Sequence, residues 1–192
     1  MIPYSRQSIN KKDIAAVKKV LKSDFLTQGP QVLNFEKSLT KEFGSKFCTV
    51  VNSATSGLYL ACRAINISKD DIVWTSINTF VSTANVIIHC GAKVEFLDTN
   101  FDGNIDSLNL EEKLLIAKKK RKLPKAIIVV HFAGLSCDME KIFNLSKKFK
   151  FKIIEDASHA VGAKYKNFKI GSCKFSNLCV FSFHAIKSIT TG

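Results

Sequence analysis

The sequence has no apolar run near the length that a membrane span requires. A helix needs roughly 18 or more consecutive apolar residues to cross a bilayer, and no stretch of this 192-residue chain approaches that length. Residues 1–6 are followed by polar residues and not by the apolar core of a secretion signal. These absences predict a cytoplasmic protein that does not associate with membranes.

Arginine is scarce although the chain is strongly basic. The 29 Lys and Arg residues exceed the 16 Asp and Glu residues by 13, yet only Arg6, Arg63 and Arg121 are arginines. Arginine makes most of the bidentate phosphate and base-edge contacts of nucleic-acid binding. The charge therefore indicates a lysine-rich solvated surface and no nucleic-acid partner. The basic run at 118–122 keeps a polyanion-binding protein as an alternative.

Motifs of common metal and nucleotide sites are absent as well. The six cysteines form no C-x-x-C pair, and H-E-x-x-H, the Walker glycine-lysine pattern and G-x-G-x-x-G do not occur. We expect the cysteines to be small core residues in a reduced cytoplasm, not disulfides or zinc ligands. No metal is predicted, and binding of ATP or a dinucleotide has no motif to support it.

The sequence does contain a regular alternation of helix and strand patterns. Short apolar strands separated by helices predict an α/β fold, with a mostly parallel central sheet covered by helices on both faces. Ligands of such sheets bind beyond the carboxyl ends of the strands. The predicted helices cover 13–22, 32–43, 58–65, 80–90, 108–117 and 139–149, and the predicted strands cover 47–51, 72–75, 93–97, 126–130, 151–155 and 180–183.

Three stretches that follow predicted strands could carry chemistry. Thr55 and Ser56 lie at a helix start, where they could line a phosphate cup or simply cap the helix. Asp156 could hold a cationic ring nitrogen or a metal, or it could cap a turn while His159 packs at the sheet edge.

The third stretch ends at Lys187, which follows aromatic and apolar residues. Such surroundings disfavour the charged form of an amine and suit it to Schiff-base chemistry, although a snorkelling surface lysine is the simpler alternative. A phosphate cup, an acid and an amine together are the set that pyridoxal phosphate requires.

The sequence contains six motifs in collinear order: IPYSRQ at 2–7, LTQGP at 26–30, NSATS at 52–56, NTF at 78–80, EDASHA at 155–160 and FSFHAIK at 181–187. They resemble those of the DegT/StrS-type sugar aminotransferases, which are pyridoxal-phosphate enzymes acting on nucleotide-linked keto sugars. The longer stretches around two of these motifs, 24–30 and 73–85, look most like the UDP-sugar 4-aminotransferases of the pseudaminic acid pathway.

The resemblance implies a role for each matching residue. Lys187 would carry the cofactor and later move a proton between carbon centres, and Asp156 would keep the pyridine nitrogen protonated. Phe80 would stack on the ring, unless it is a core aromatic at a helix start. His159 would lie near the phenolic oxygen, where many relatives have Gln. The polar side chains would be Thr55, Ser56 and Ser182 around the phosphate, and Tyr4, Arg6, Thr27 and Asn78 on the sugar side.

The same resemblance implies a reaction and a domain plan. An amino group would move from glutamate to C4 of a UDP-linked 4-keto-6-deoxy sugar, in an enzyme that is a homodimer in full-length relatives. Relatives that are dehydratases have His in place of Lys187, so Lys at this position favours transamination. Residues 1–30 would form an N-terminal segment and helix, and 31–192 a truncated large domain without the C-terminal small domain. An inactive truncated relict is the main alternative.

Overall fold

A computed structural model describes residues 5–191 of the chain. Helices and strands alternate as the periodicity predicts. The α-helices are α1 (Lys11–Leu21), α2 (Pro30–Phe43), α3 (Ala54–Ala64), α4 (Val81–His89), α5 (Ser107–Lys119) and α6 (Met139–Phe149). The strands are β1 (Ile72–Ser76), β2 (Lys93–Leu97), β3 (Ala126–Val130), β4 (Lys152–Asp156), β5 (Lys164–Tyr165), β6 (Phe168–Lys169) and β7 (Leu178–Val180).

Five of these strands form the central sheet, in the order β2-β1-β3-β4-β7, and every neighbouring pair is parallel. The chain runs outward from β1 to β2 and then returns through α5 to β3 on the other side of β1. A reversal of this kind opens a crevice at the carboxyl ends of the strands. The predicted α/β class with a mostly parallel sheet is confirmed.

Helices cover both faces of the sheet because successive strand residues point to opposite sides. Residues Ile128 and Ile154 belong to a buried cluster with residues of α3 and α4. The residues before them, Ile127 and Ile153, belong to a second cluster with residues of α5 and α6. The two faces of β4 therefore meet different helices, and this difference determines where its last two side chains point.

Two of the predicted strands differ in the structure. Residues 47–51 form no strand: the ring of Phe47 is 80% exposed, and the Val50 N–H donates to the Glu36 carboxylate over 2.8 Å. A β-branched run forms a strand only where a ladder partner is available. The strand expected at 180–183 ends at Val180, so Ser182 lies in the segment that follows it. The β5–β6 hairpin, turning through Lys166 at φ 52°, was not predicted.

The six cysteines are free thiols. Cys62, Cys90 and Cys137 are buried, as predicted for core residues, and the other three are half-buried. Burial is the largest cause that raises the pKa of Cys62 and of Cys137 to about 12. None of the helices within residues 5–191 is long and apolar enough to cross a bilayer.

Candidate functional site

Three segments meet at the carboxyl edge of the sheet around β4 and β7. Asp156 at the end of β4 pairs with Val180, and the Ala157 N–H donates to the Val180 carbonyl over 2.8 Å. The start of α3 packs against β7 so closely that a Cβ on Gly57 would lie 2.9 Å from Val180 Cγ1. A β-carbon here would force the Val180 side chain to shift, so this close approach favours glycine. The stretches 52–57, 155–159 and 181–187 therefore lie at one edge of the sheet.

Asp156 is buried at this edge with hydrogen bonds to both carboxylate oxygens. Oδ2 accepts the hydroxyl of Thr83 over 2.8 Å, and that hydroxyl in turn accepts from Thr79 Oγ1 over 2.9 Å. Oδ1 accepts from the hydroxyl of Ser158 over 2.6 Å and from its backbone N–H over 3.2 Å. A buried carboxylate held by short donors on both oxygens has a fixed orientation.

The charges of Asp156 and Lys187 both act on His159. Burial is the largest cause that lowers the pKa of His159, the charge of Lys187 lowers it further, and the charge of Asp156 opposes the shift. Within residues 5–191 the Lys187 amine has no hydrogen-bond or ion-pair partner. The residue is half-buried, so the described part of the chain does not form the apolar enclosure expected for its amine.

The sequence left open whether the hydroxyl groups at the start of α3 cap the helix or line an anion site. In the structure these hydroxyl groups make different hydrogen bonds. Ser53 is the N-cap, and its hydroxyl accepts the Ser56 backbone N–H over 3.1 Å. Thr55 is exposed and its hydroxyl has no partner among the described residues. Ser182 is buried and its hydroxyl accepts the His184 N–H over 3.4 Å. Capping is thus the role of Ser53, and the Thr55 hydroxyl at the helix start is free to bind an anion.

The remaining predicted residues are spread more widely. Phe80 immediately precedes α4 and its ring is 70% exposed, so the core-aromatic alternative is wrong. Asn78 follows β1 and donates to the Gly103 carbonyl over 3.3 Å. Arg6 and Thr27 are exposed and make no side-chain hydrogen bond or ion pair in the described part of the chain. Tyr4 lies outside the described residues.

Sequence reasoning missed a second polar network next to Asp156. Glu155 points to the opposite face of β4, where Oε2 lies 2.7 Å from His131 Nε2 and Oε1 accepts the Ser176 hydroxyl. His131 Nδ1 accepts the Cys137 N–H over 3.2 Å, so the proton of the ring is on Nε2 and is donated to Glu155. The sequence signal that could have revealed this network was Glu155, directly after Ile153 and Ile154 in a predicted apolar strand, since a buried charge requires a partner.

Comparison with known proteins decides the family. The chain matches the DegT/DnrJ/EryC1/StrS aminotransferase family over residues 7–192. It belongs to this family. It is 47% identical over 191 residues to the UDP-4-amino-4,6-dideoxy-N-acetyl-beta-L-altrosamine transaminase of Campylobacter jejuni, covering 100% of this chain and 49% of that protein. The Helicobacter pylori transaminase of the same name is 40% identical, with 98% of this chain and 48% of that protein covered.

Solved structures of similar proteins extend the family match to the fold. The chain superimposes on Helicobacter pylori PseC, an aminotransferase of pseudaminic acid biosynthesis, with a TM-score of 0.90, 41% identity, and coverage of 98% of this chain and 49% of PseC. The PLP-form of Spr1654 from Streptococcus pneumoniae gives a TM-score of 0.87 at 29% identity, covering 99% of this chain and 50% of Spr1654. The chain spans about half the length of the curated relatives that it matches.

Proposed function

We propose that this chain carries the cofactor-binding part of a pyridoxal-phosphate-dependent sugar aminotransferase. The amino group would pass from glutamate to C4 of a UDP-linked 4-keto-6-deoxy sugar. Membership of the aminotransferase family supports the reaction class, and relatives named as altrosamine transaminases support the sugar class. The sugar substrate is therefore proposed from the relatives, and the chemistry is proposed from the residues of this chain.

One observation carries the proposal: a buried carboxylate with an unused acceptor position ends β4, and the segment after the paired strand β7 carries an amine that has no partner among the described residues. Asp156 accepts three hydrogen bonds, from Thr83 and twice from Ser158, whereas a carboxylate offers about four lone-pair positions. The Lys187 amine is close enough to the same edge for its charge to act on His159. A ligand with a cationic ring N–H and an aldehyde fits these two groups.

The residues present fit pyridoxal phosphate at its other end as well. When bound, the cofactor supplies an aldehyde that condenses with an amine and a protonated ring that withdraws electrons. The start of α3 offers backbone N–H groups and the free Thr55 hydroxyl to an anion, with Ser56 and Ser182 nearby. Packing of α3 on β7 at Gly57 keeps this anion site at a fixed distance from the end of β4.

Each residue at this edge then has a specific task. Lys187 would hold the aldehyde and could then move a proton, and Asp156 would accept the hydrogen bond of the protonated ring nitrogen. Phe80 offers an exposed ring for stacking, and His159, whose neutral form is favoured by burial, would serve the phenolic oxygen. On the sugar side the candidates remain Asn78, which lies at this edge, and the N-terminal residues Tyr4, Arg6 and Thr27.

The proposal extends to domain plan, assembly and location. None of residues 5–30 is buried, whereas Phe35 and Phe43 of α2 pack against the rings of Phe183 and Phe181. This supports treating residues 1–30 separately from a large domain over 31–192. A homodimer is proposed from the family. A cytoplasmic location is proposed because the cysteines are free thiols, which reducing compartments maintain.

Borohydride reduction tests the cofactor assignment directly. The chain is incubated with pyridoxal phosphate and reduced, and the modified peptide is identified by mass spectrometry. We expect the pyridoxyl group on Lys187 and its complete loss in Lys187→Ala. The matched control is Lys152→Ala, which removes an exposed lysine at the opposite end of β4 and should leave the modification unchanged. A reduced group on another lysine, or on none in folded protein, would refute the proposal.

A second measurement tests the reaction itself. Incubation of the loaded chain with glutamate should release 2-oxoglutarate, and later addition of a UDP-linked 4-keto sugar should give an amino sugar. Cofactor binding without either product would leave the inactive relict as the correct description. A dehydrated sugar as product would instead indicate a dehydratase.

A further inference from the structure

Thr83 is the buried residue whose contact with the candidate site has the greatest consequence. It lies in the first turn of α4 and is fully buried, and its hydroxyl contacts a carboxylate that lies 73 positions further along the chain. An ionised carboxylate can only accept hydrogen bonds, so the Thr83 hydroxyl must donate its single proton to Asp156. One of its two acceptor positions is then filled by the Thr79 hydroxyl over 2.9 Å. The two threonines form a directed relay that ends on Oδ2.

The two carboxylate oxygens of Asp156 receive different numbers of hydrogen bonds from the relay and from Ser158. Oδ1 receives two donors, both from Ser158, and so has its two lone-pair positions filled. Within the described part of the chain Oδ2 receives only Thr83, so one position remains on this oxygen. Any further N–H donor must therefore approach Oδ2, next to Thr83. Rotation of the carboxylate, which would offer a different oxygen, would break three hydrogen bonds.

We propose that Thr83 is a positioning residue that holds Asp156 Oδ2 in the orientation needed to accept the ring N–H of pyridoxal phosphate. Thr79 fixes the Thr83 hydroxyl, and Ser158 holds the other oxygen. This inference rests on the proposed function and adds the residue that sets the geometry of its key acid. A purely structural Thr83 would satisfy a buried charge without affecting the cofactor.

The test compares the hydroxyl of Thr83 with the hydroxyl of another buried threonine. Thr83→Val keeps the shape of the side chain and removes the hydroxyl, whereas Thr83→Ser keeps the hydroxyl. The matched control is Thr75→Val in β1, because Thr75 is equally buried and its hydroxyl donates to the Ile128 carbonyl at 3.1 Å, away from Asp156. All variants are made in the full chain and checked for folding by circular dichroism.

The main measurement is the equilibrium dissociation constant for pyridoxal phosphate, determined from cofactor absorbance. We expect Thr83→Val to weaken binding roughly tenfold, because a hydrogen bond to a charged group is lost and the carboxylate is free to turn. Thr83→Ser and Thr75→Val should remain within about twofold of the wild type by the same arithmetic. In an Asp156→Asn background, Thr83→Val should cause no further loss, because the two changes act on one interaction.

A measurement without cofactor separates the contact from its consequence. The ¹³C signal of the Asp156 side-chain carboxyl should shift in cofactor-free Thr83→Val and should not shift in Thr75→Val. If the signal shifts while the dissociation constant is unchanged, the contact is structural and the inference is wrong. If Thr83→Val does not fold, Thr79→Val replaces it. Thr79 is half-buried and precedes α4, and its loss should still weaken binding roughly threefold.

The wild-type chain distinguishes failure of this inference from failure of the proposed function. A wild type that forms the reduced Lys187 adduct, with equal affinities for wild type and Thr83→Val, overturns the positioning role alone. A folded wild type that forms no adduct overturns the proposed function and the positioning role together.

Discussion

Glu155 and Asp156 are adjacent carboxylates of one strand, almost equally buried, with 3% and 5% exposure. Their side chains point to opposite faces of the sheet and meet different donors. Glu155 accepts a ring N–H from His131, which is itself fixed by the Cys137 backbone. Among the described residues, Asp156 accepts only hydroxyl and backbone donors, from Thr83 and Ser158. One carboxylate thus holds a heteroaromatic ring of the chain, and the other has a position where a ligand ring fits.

Burial alone therefore does not distinguish a structural acid from a functional one. Glu155 forms a contact that is complete within the chain, between β4 and the segment after β3. Asp156 lies one residue later, at the strand end, and its charge acts on His159, as does the charge of Lys187. We therefore expect Glu155 to affect stability most and Asp156 to affect cofactor binding most.

The largest expected effect is the loss of the Glu155 carboxylate. Glu155→Ala leaves the His131 N–H and the Ser176 hydroxyl without an acceptor in a buried site. Breaking a buried polar pair in this way should reduce the free energy of unfolding by about 3–5 kcal/mol. Urea denaturation measures the change, with Glu155→Gln as the milder variant because its amide oxygen can still accept from His131. A loss below about 1 kcal/mol would contradict the structural role.

The second-largest expected effect is on cofactor affinity, and it arises from Asp156 and not from Glu155. Asp156→Asn retains the size of the side chain but removes the charge that would hold a cationic ring N–H. We expect affinity for pyridoxal phosphate to fall roughly tenfold to hundredfold, which is equivalent to about 1.4–2.7 kcal/mol. Glu155→Gln, measured on folded protein, should change affinity by less than about twofold. Equal losses in the two amide variants would show that the adjacent carboxylates are not specialised.

The smallest expected effect is a change in the pKa of His159, on which the charge of Asp156 acts. Burial is the main cause of its lowered pKa, and Lys187 contributes to the lowering. We expect Lys187→Met to raise the pKa of His159, and Asp156→Asn to lower it further because a charge that opposes the shift is lost. Titration of the His159 ring signals by NMR measures both changes, with exposed His89 as the internal reference. Shifts in the same direction for both variants would contradict this charge arrangement.

The same histidine gives a pH dependence of stability with a definite sign. Because its pKa is lower in the folded state, the folded protein binds this proton less readily than the unfolded chain does. Its contribution to stability is therefore complete above the ordinary histidine pKa. It is lost as pH falls from there to the lowered folded value.

The fold was largely predictable because its core strands are continuous apolar runs. β-Branched side chains lie on both faces of the strands at 126–130 and 152–156. This pattern is typical of a parallel sheet that is covered on both faces. Residues 47–51 have a similar composition but lack a ladder partner, so composition alone predicted a strand that is absent. Pairing is a property of the whole chain, and a local pattern does not contain it.

The site was predictable only where chemistry follows a strand end. Asp156 met that criterion at the end of β4, whereas the helix start at 52–57 follows a predicted strand that the structure does not form. The structure nevertheless brings both to one edge. Thr83 and His131 did not stand out, because a Thr in an apolar helix and a His after a strand are common in cores. Their importance comes from contacts over 73 and 24 positions of sequence, which no local pattern reports.

The pairing of β3 with β4 over five residues has a consequence beyond holding the sheet together. Side chains alternate along a strand, so a slip of one residue in this alignment would exchange the directions of the two neighbouring acids. The glutamate would then face the crevice, and the aspartate would be turned toward the imidazole. The backbone ladder between two interior strands thus decides which acid can serve a ligand.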